Sequence, residues 1–252
     1  MYKDTEIDTS YKYLKSVISQ LEEPVCILGG WAVFFSVNDN YKKQLKRVYI
    51  GSRDVDIGFN TVSSFKHATE ILEKQLNFNF LSFRYYKNIH AETGVDLLEE
   101  QTKTLPPHMF FPMYVDPIMS HIDQKIIDDL GFTPVDEPLL KYVFEDKNKL
   151  VTEFGKKLLL PKPEILLATK IKSVINRNKQ HKRYKDICDI TALCLFSGLE
   201  LSEIIKASKQ FLSQAIIKKF TSFDFKEDIT ICSNLLELEV NVVRRIIEKI
   251  KE

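Results

Sequence analysis

This chain is poor in the residues that build metal knuckles, disulfide frameworks and membrane spans. Of its 252 residues only 4 are cysteine, 5 histidine and 1 tryptophan. Cys26, Cys188, Cys194 and Cys232 show neither Cys-x-x-Cys nor zinc-ligand spacing, which excludes a zinc ribbon and argues for reduced, buried thiols in a cytoplasmic protein. His108 and His121 lack partners at ligand spacing. No run of apolar residues is long: Cys26–Val37 is broken by a glycine pair and is too short to cross a bilayer, so no membrane association is expected. Charge of one sign is also missing, with 36 Lys and Arg against 35 Asp and Glu. No global field therefore directs the chain to a polyanion. The N-terminus is polar and charged through Tyr13, unlike a secretory leader, and neither internal repeats nor low-complexity linkers are visible.

What is present is concentrated in two places. Ile27-Leu28-Gly29-Gly30-Trp31-Ala32-Val33 reads as an apolar strand that breaks at two glycines and enters a helix. Gly51-Ser52-Arg53-Asp54-Val55-Asp56-Ile57-Gly58-Phe59 then carries two acids one residue apart. On a strand, residues i and i+2 share a face, which sets the two carboxylates side by side at about 6–7 Å. Such a pair suits magnesium together with the phosphates of a nucleotide. The glycines let backbone approach a phosphate at a helix N-terminus, where negative charge is favoured. Each half alone is weak: an Asp-x-Asp is more often a solvated edge, and Gly-Gly more often a turn. The specificity lies in their order.

On these residues, Leu28-Gly29-Gly30 and Asp54-Val55-Asp56-Ile57, the chain resembles the DNA polymerase β-type nucleotidyltransferase superfamily. The interval from Gly30 to Asp54 is longer than in compact members, implying extra chain around Asn38-Asp39-Asn40 and Lys42–Arg47. The resemblance implies an α/β (α+β) nucleotidyltransferase core with a mixed β-sheet over residues 1–160. It also implies magnesium or manganese at Asp54 and Asp56, with an NTP as substrate and Gly29, Gly30 and Ser52 near its phosphates. Asp96, in Gly94-Val95-Asp96-Leu97-Leu98, is the expected third carboxylate, a metal ligand and general base placed beside the pair by the strand that follows.

Element by element, the pattern predicts helices over Tyr11–Leu21, Trp31–Val37 and Phe65–Leu76. Strands are expected at Val25–Leu28, Arg47–Ile50, Asp54–Phe59, within Phe78–His90 and at Gly94–Leu98. Residues 105–157, rich in proline, read as strand and loop material, and Lys156–Leu160 as a final strand. From Pro161 the chain turns helical, predicting a helical domain over 161–252 with Pro163 in its first helical turn.

In the helix Glu164–Asn176, Lys170 falls among Leu166, Leu167, Ile171 and Val174, on the apolar face. A lysine there snorkels to water or meets an anion. In the next helix, Asp186 lies at the edge of the apolar face and Asp189 nearly opposite, so periodicity favours Asp186 as the inward acid. The run Arg177–Arg183 is either a solvated loop or a patch for phosphates. This Lys...Arg/Lys-Asp-x-x-Asp arrangement resembles the AbiEii-like nucleotidyltransferases, which include the MenT toxins of type IV toxin–antitoxin pairs. That resemblance implies that Lys170 and Asp186 complete the active site, and that an antitoxin is an expected partner. The acceptor stays open between a tRNA end or other small RNA, a protein hydroxyl and a small molecule. A catalytically inactive nucleotide-binding or interaction module of the same fold is the alternative.

Overall fold

The structure, a computed structural model, describes residues 3–145 and 149–252, with Lys149 described by its backbone only. Residues 146–148 of the expected strand-and-loop stretch lie outside the described residues. The chain divides into two compact units, one formed by Tyr2–Ala32 with Gly51–Pro161, the other by Val33–Ile50 with Lys162–Glu252. The segment 33–50, expected in the N-terminal domain, is therefore grouped with the C-terminal helices.

The first unit is a mixed sheet with helices. Its elements are α1 (Asp4–Gln20), β1 (Val25–Ile27), the start of α2 (Gly29–Leu45), β2 (Val55–Phe59) and α3 (Val62–Glu70), which runs on through a wider π-helical turn at Ile71–Gln75. Then come β3 (Asn79–Leu81), β4 (Arg84–His90), β5 (Asp96–Leu97), α4 (Glu99–Thr102), β6 (Phe110–Met119), α5 (Gln124–Leu130), β7 (Val135–Asp136), α6 (Leu140–Glu145), β8 (Lys149–Glu153) and β9 (Lys156–Leu160). The strand order is β3-β4-β6-β2-β1-β9-β8, with β5 on β4 and β7 on β6. β2 and β6 run parallel, as do β1 and β9, while β1–β2, β4–β6 and β8–β9 are antiparallel.

The core follows the pleat. Along β6, Phe111, Met113, Val115, Pro117 and Met119 are buried and the residues between them half-buried. Along β2, Val55 and Ile57 are buried and Asp56 is half-buried. Both α1 and α3 pack against β6, burying Leu14, Val17 and Ile18 from the first and Phe65 and Ala68 from the second. The helix α1 begins earlier than expected because the Glu6 carboxylate accepts from the Lys3 N–H at 2.8 Å, capping its start. Thr9 and Ser10 then lie inside it, buried, and Ser10 Oγ accepts from Trp31 Nε1 at 3.1 Å.

Two expectations are corrected. The predicted strand 47–50 is not one, and the extra chain after the glycines continues α2 by about two turns, down to Leu45. The proline-rich stretch supplies β6, a ten-residue strand at the centre of the sheet. Pro112 and Pro117 lie inside it, and proline ordinarily argues against a central strand.

The second unit holds the rest of α2 with α7 (Pro163–Val174), α8 (Gln180–Phe196), α9 (Leu201–Lys209), α10 (Gln214–Ser222), α11 (Lys226–Leu236) and α12 (Val240–Lys251). Helices α7, α9, α11 and α12 all pack on α8. Polar and aromatic contacts tie α2 into this bundle: Asn40 Nδ2 donates to Phe196 O at 2.9 Å, and the Tyr41 ring meets that of Phe196 at 4.9 Å. Helices α9 and α10 are separate, Ser213 capping the second by accepting from Ile216 N–H. The α/β class with a mixed sheet and C-terminal helices agrees with expectation. Among the described residues no helix is long and apolar enough to cross a membrane, and all four cysteines are buried free thiols.

Candidate active site

The acid pair sits at the start of β2, Asp54 just before the strand and Asp56 within it. Asp54 is buried, as is Ser52 two residues earlier. Arg53 lies 3.6 Å from Asp54 through Nε and 3.6 Å from Glu6 through Nη1, so a cation flanks the first carboxylate. The Asp56 carbonyl accepts from Leu28 N–H at 2.9 Å, joining the strand to the turn that opens α2.

Gly29 is the first residue of α2, at φ +60°. A Cβ there would stand 1.9 Å from Asp56 Oδ2. The glycine thus serves close approach: the Asp56 carboxylate occupies the place a side chain would take, at a helix N-terminus whose N–H groups favour an anion. Gly30 is the second residue of the same helix.

The expected third acid is elsewhere. Asp96 lies on β5, paired with Ile89 of β4, and is bonded to Lys87. Burial pushes its carboxyl pKa up, opposed by Lys12. Strands β4 and β6 separate it from β2, so it is not beside the pair. The reason is topological: the neighbour of β2 is not the strand that follows it in the sequence but β6, fifty residues on. That strand brings Asp116, the register partner of Asp56. Paired residues of parallel strands share a face, so Asp116 takes the place predicted for Asp96. A lone acid in the apolar run Met113–Met119 carried the same signal as Asp56, but the surrounding prolines obscured the strand.

Asp116 is gripped by Arg84, the first residue of β4, whose Nε and Nη2 donate to Oδ1 at 2.9 Å and Oδ2 at 2.5 Å. The guanidinium lies 3.8 Å above the Tyr114 ring. Burial disfavours its charge, but the bond and charge of Asp116, with Asp54 adding, outweigh this and raise its pKa.

The helical unit contains a second cluster. Lys170 Nζ lies 3.0 Å from Asp186 Oδ1 and 2.7 Å from Asp189 Oδ2. Arg177 Nε bonds Asp186 Oδ2 at 2.7 Å, Lys185 bonds Asp189, and Tyr49 Oη donates to Asp189 Oδ1 at 2.8 Å. Burial works against the Lys170 charge, yet the two aspartates prevail and hold its pKa above the usual lysine value. Burial likewise opposes ionisation of Asp189, but Lys170 and Lys185 reverse this and lower its pKa. The expectation that Asp189 points away from Lys170 is corrected. Helix α8 is buried on nearly every side from Lys185 to Cys194, so a single apolar face does not describe it, and both acids reach the lysine.

Among the described residues no group of three or more His, Cys, Asp or Glu is arranged to hold a metal ion. Asp54 and Asp56 nonetheless offer the hard oxygen donors that suit magnesium, which is commonly bound by one or two carboxylates plus substrate phosphates.

The chain matches no protein-family model and no curated protein. Among solved structures it is similar to an antigenic nucleotidyltransferase-like protein from Paracoccidioides brasiliensis, at 13% identity over 95% of each chain with a TM-score of 0.39. That superposition is too loose to carry residue roles from one chain to the other.

Proposed function

We propose that the protein is a nucleotidyltransferase that moves a nucleoside monophosphate from an NTP to an acceptor hydroxyl and releases pyrophosphate. The observation that carries this reading is the registration of Asp56 with Asp116 on adjacent strands, beside a glycine turn that admits the Asp56 carboxylate. Asp54 and Asp56 would hold Mg²⁺ or Mn²⁺, whose charge offsets that of the phosphates. Gly30, at the open first turn of α2, and Ser52 would contact the phosphates, with Gly29 making room for Asp56. Asp116 would accept the proton of the acceptor hydroxyl as its oxygen bonds the α-phosphorus and the bond to pyrophosphate breaks. Positioning and charge stabilisation, with no covalent intermediate, would supply the rate. Within the helical unit, Asp186 and Asp189 hold Lys170, the lysine to which, with Asp186, the AbiEii-like resemblance gives a part in the reaction.

The acceptor we favour is an RNA such as a tRNA end. Lys and Arg outnumber Asp and Glu in the helical unit, and the reverse holds in the sheet unit. Lys179, Lys218 and Lys219 are exposed on the helical unit. Lys219 Nζ bonds Asn176 Oδ1 at 2.7 Å, setting α10 beside the α7–α8 loop. Such a surface suits a phosphate backbone. We extend the proposal, on the AbiEii-like resemblance alone, to a toxin role in the cytoplasm with an antitoxin as partner.

One observation favours a nucleotide-binding module without turnover: Asp116 and Lys170 are both already bonded to groups of the protein itself. Transfer of label from α-labelled NTPs into a cell extract, with Asp54→Asn/Asp56→Asn as the blank, separates the two. Label above the blank, entering small RNA, supports the transferase reading. Mg²⁺-dependent nucleotide binding without transfer would support the module.

A further inference from the structure

We propose that Arg84 is a positioning residue of this site, acting through Asp116. It rests on the transferase reading for its kinetic consequences, while its electrostatic consequences can be read without turnover.

The sheet register sets Arg84 beside Asp116, since Tyr85 pairs with Val115 and Tyr86 with Tyr114. Tyr114 stands two residues before Asp116 on the same face of β6, and its ring supports the flat guanidinium at 3.8 Å. The two nitrogens facing the carboxylate engage one oxygen each. A bidentate pair of this kind fixes the plane of the carboxylate as well as its position. A lysine in the same place would supply charge but neither the fork nor the stack.

This arrangement answers a problem set by the sheet. Asp54, Asp56 and Asp116 gather three like charges where the start of β2 lies beside the inner part of β6. Arg84 removes one unit of that charge at the acid that the proposed reaction needs as a base. Held through both oxygens, the Asp116 carboxylate cannot rotate away. Arg84 therefore sets where the acceptor's proton goes and leaves nucleotide binding to Asp54, Asp56 and the α2 turn.

The test compares wild type with Arg84→Lys, Arg84→Ala, Asp116→Asn and Arg84→Ala/Asp116→Asn in two measurements. In transfer assays, both Arg84 variants should keep KM for the NTP within about twofold and lose about tenfold or more in kcat, because misplacement of a catalytic group falls on the chemical step. The double variant should be no slower than Asp116→Asn alone, since Arg84 then has nothing to position. In Mn²⁺ titrations followed by electron paramagnetic resonance, Arg84→Ala should bind the ion several-fold more tightly than wild type. The double variant, which has the wild-type charge balance, should return to wild-type affinity.

Full additivity of the two losses would overturn the proposal, as would a rise in KM at unchanged kcat, which would make Arg84 a nucleotide contact. If wild type binds Mn²⁺ but transfers nothing, the transferase reading falls alone. The Mn²⁺ series then still decides: tightening and its reversal uphold the Arg84–Asp116 coupling, and unchanged affinity rejects it. No Mn²⁺ binding by any variant would reject the coupling together with the metal site.

Discussion

Asp56 and Asp116 are register partners on two parallel strands, although sixty residues of chain separate them. Their neighbours Val55 and Val115 pair in the same way and are fully buried. The two acids are thus held by a dry, packed layer directly beneath them. Rigid strands place functional groups more closely than loops do, and this pair is the most firmly built part of the candidate site.

The relationship distinguishes two acids that the sequence left equivalent. Asp116→Asn should lower kcat by about 10²–10⁴-fold, the usual worth of a general base, whereas Asp96→Asn should leave kcat within about threefold, a change worth well under 1.4 kcal/mol. Steady-state rates of both variants decide it. Equal losses would return Asp96 to the site.

Gly29→Ala should be costly on two counts. The residue sits at φ +60°, and the new Cβ would meet Asp56 Oδ2 at 1.9 Å. A loss of about 1–3 kcal/mol is expected from the backbone conformation alone. Thermal unfolding measures that loss, and nucleotide binding should weaken as Asp56 is pushed aside. Gly131→Ala is the control: its φ of +76° is similar, but nothing lies near the new Cβ, so only the backbone strain should appear.

Lys170→Met should destabilise the helical unit strongly, by about 3–5 kcal/mol, because Asp186 and Asp189 would remain buried without their shared cation. Urea unfolding is the measurement. A loss below 1 kcal/mol would mean that Lys185 and Arg177 suffice to hold both acids.

The same cluster fixes the sign of the pH dependence. The Asp189 pKa is lowered from 3.8 in the folded protein, so its contribution is present above that value and is lost as pH falls through the lower folded one. The Lys170 pKa is raised from 10.5, so its contribution is complete below 10.5 and disappears only as pH rises through the higher folded value. These are two views of one interaction. Between those limits, circular dichroism melts should show this contribution to be flat, with stability falling on the acid side. Lys170→Met should flatten the acid limb.

Tyr49→Phe tests whether the segment 33–50 folds with the C-terminal helices. Its hydroxyl donates to the buried Asp189 carboxylate, and losing a bond to a charged group should cost about 1.5 kcal/mol. Chemical denaturation of the variant checks this, and an unchanged midpoint would detach Tyr49 from the cluster.

Much of the fold was legible because it is written at short range. The strand before the glycines, the helix after them, and the acid-bearing strand follow from apolar spacing and from residues that stop or start elements. The pair Asp54 and Asp56 was legible for the same reason, since two residues of strand geometry are enough to align it. Lys170 was visible as a cation on an apolar helix face.

What could not be read from spacing were the partners. Apolar periodicity resolves one buried face per helix, so in α8, covered on nearly all sides, it separated Asp186 from Asp189 where the structure joins them around one lysine. The third acid was assigned to the next strand in the chain, but in the sheet that place belongs to β6. By itself the sequence determined an α/β chain with a helical C-terminal part, an acid pair and a glycine turn, because those features depend on residues a few positions apart. Only the tertiary structure decided that Asp116 stands beside Asp56 and that Arg84 grips it. Strand order is set by how whole faces pack, and no local pattern of residues records which distant strand becomes a neighbour.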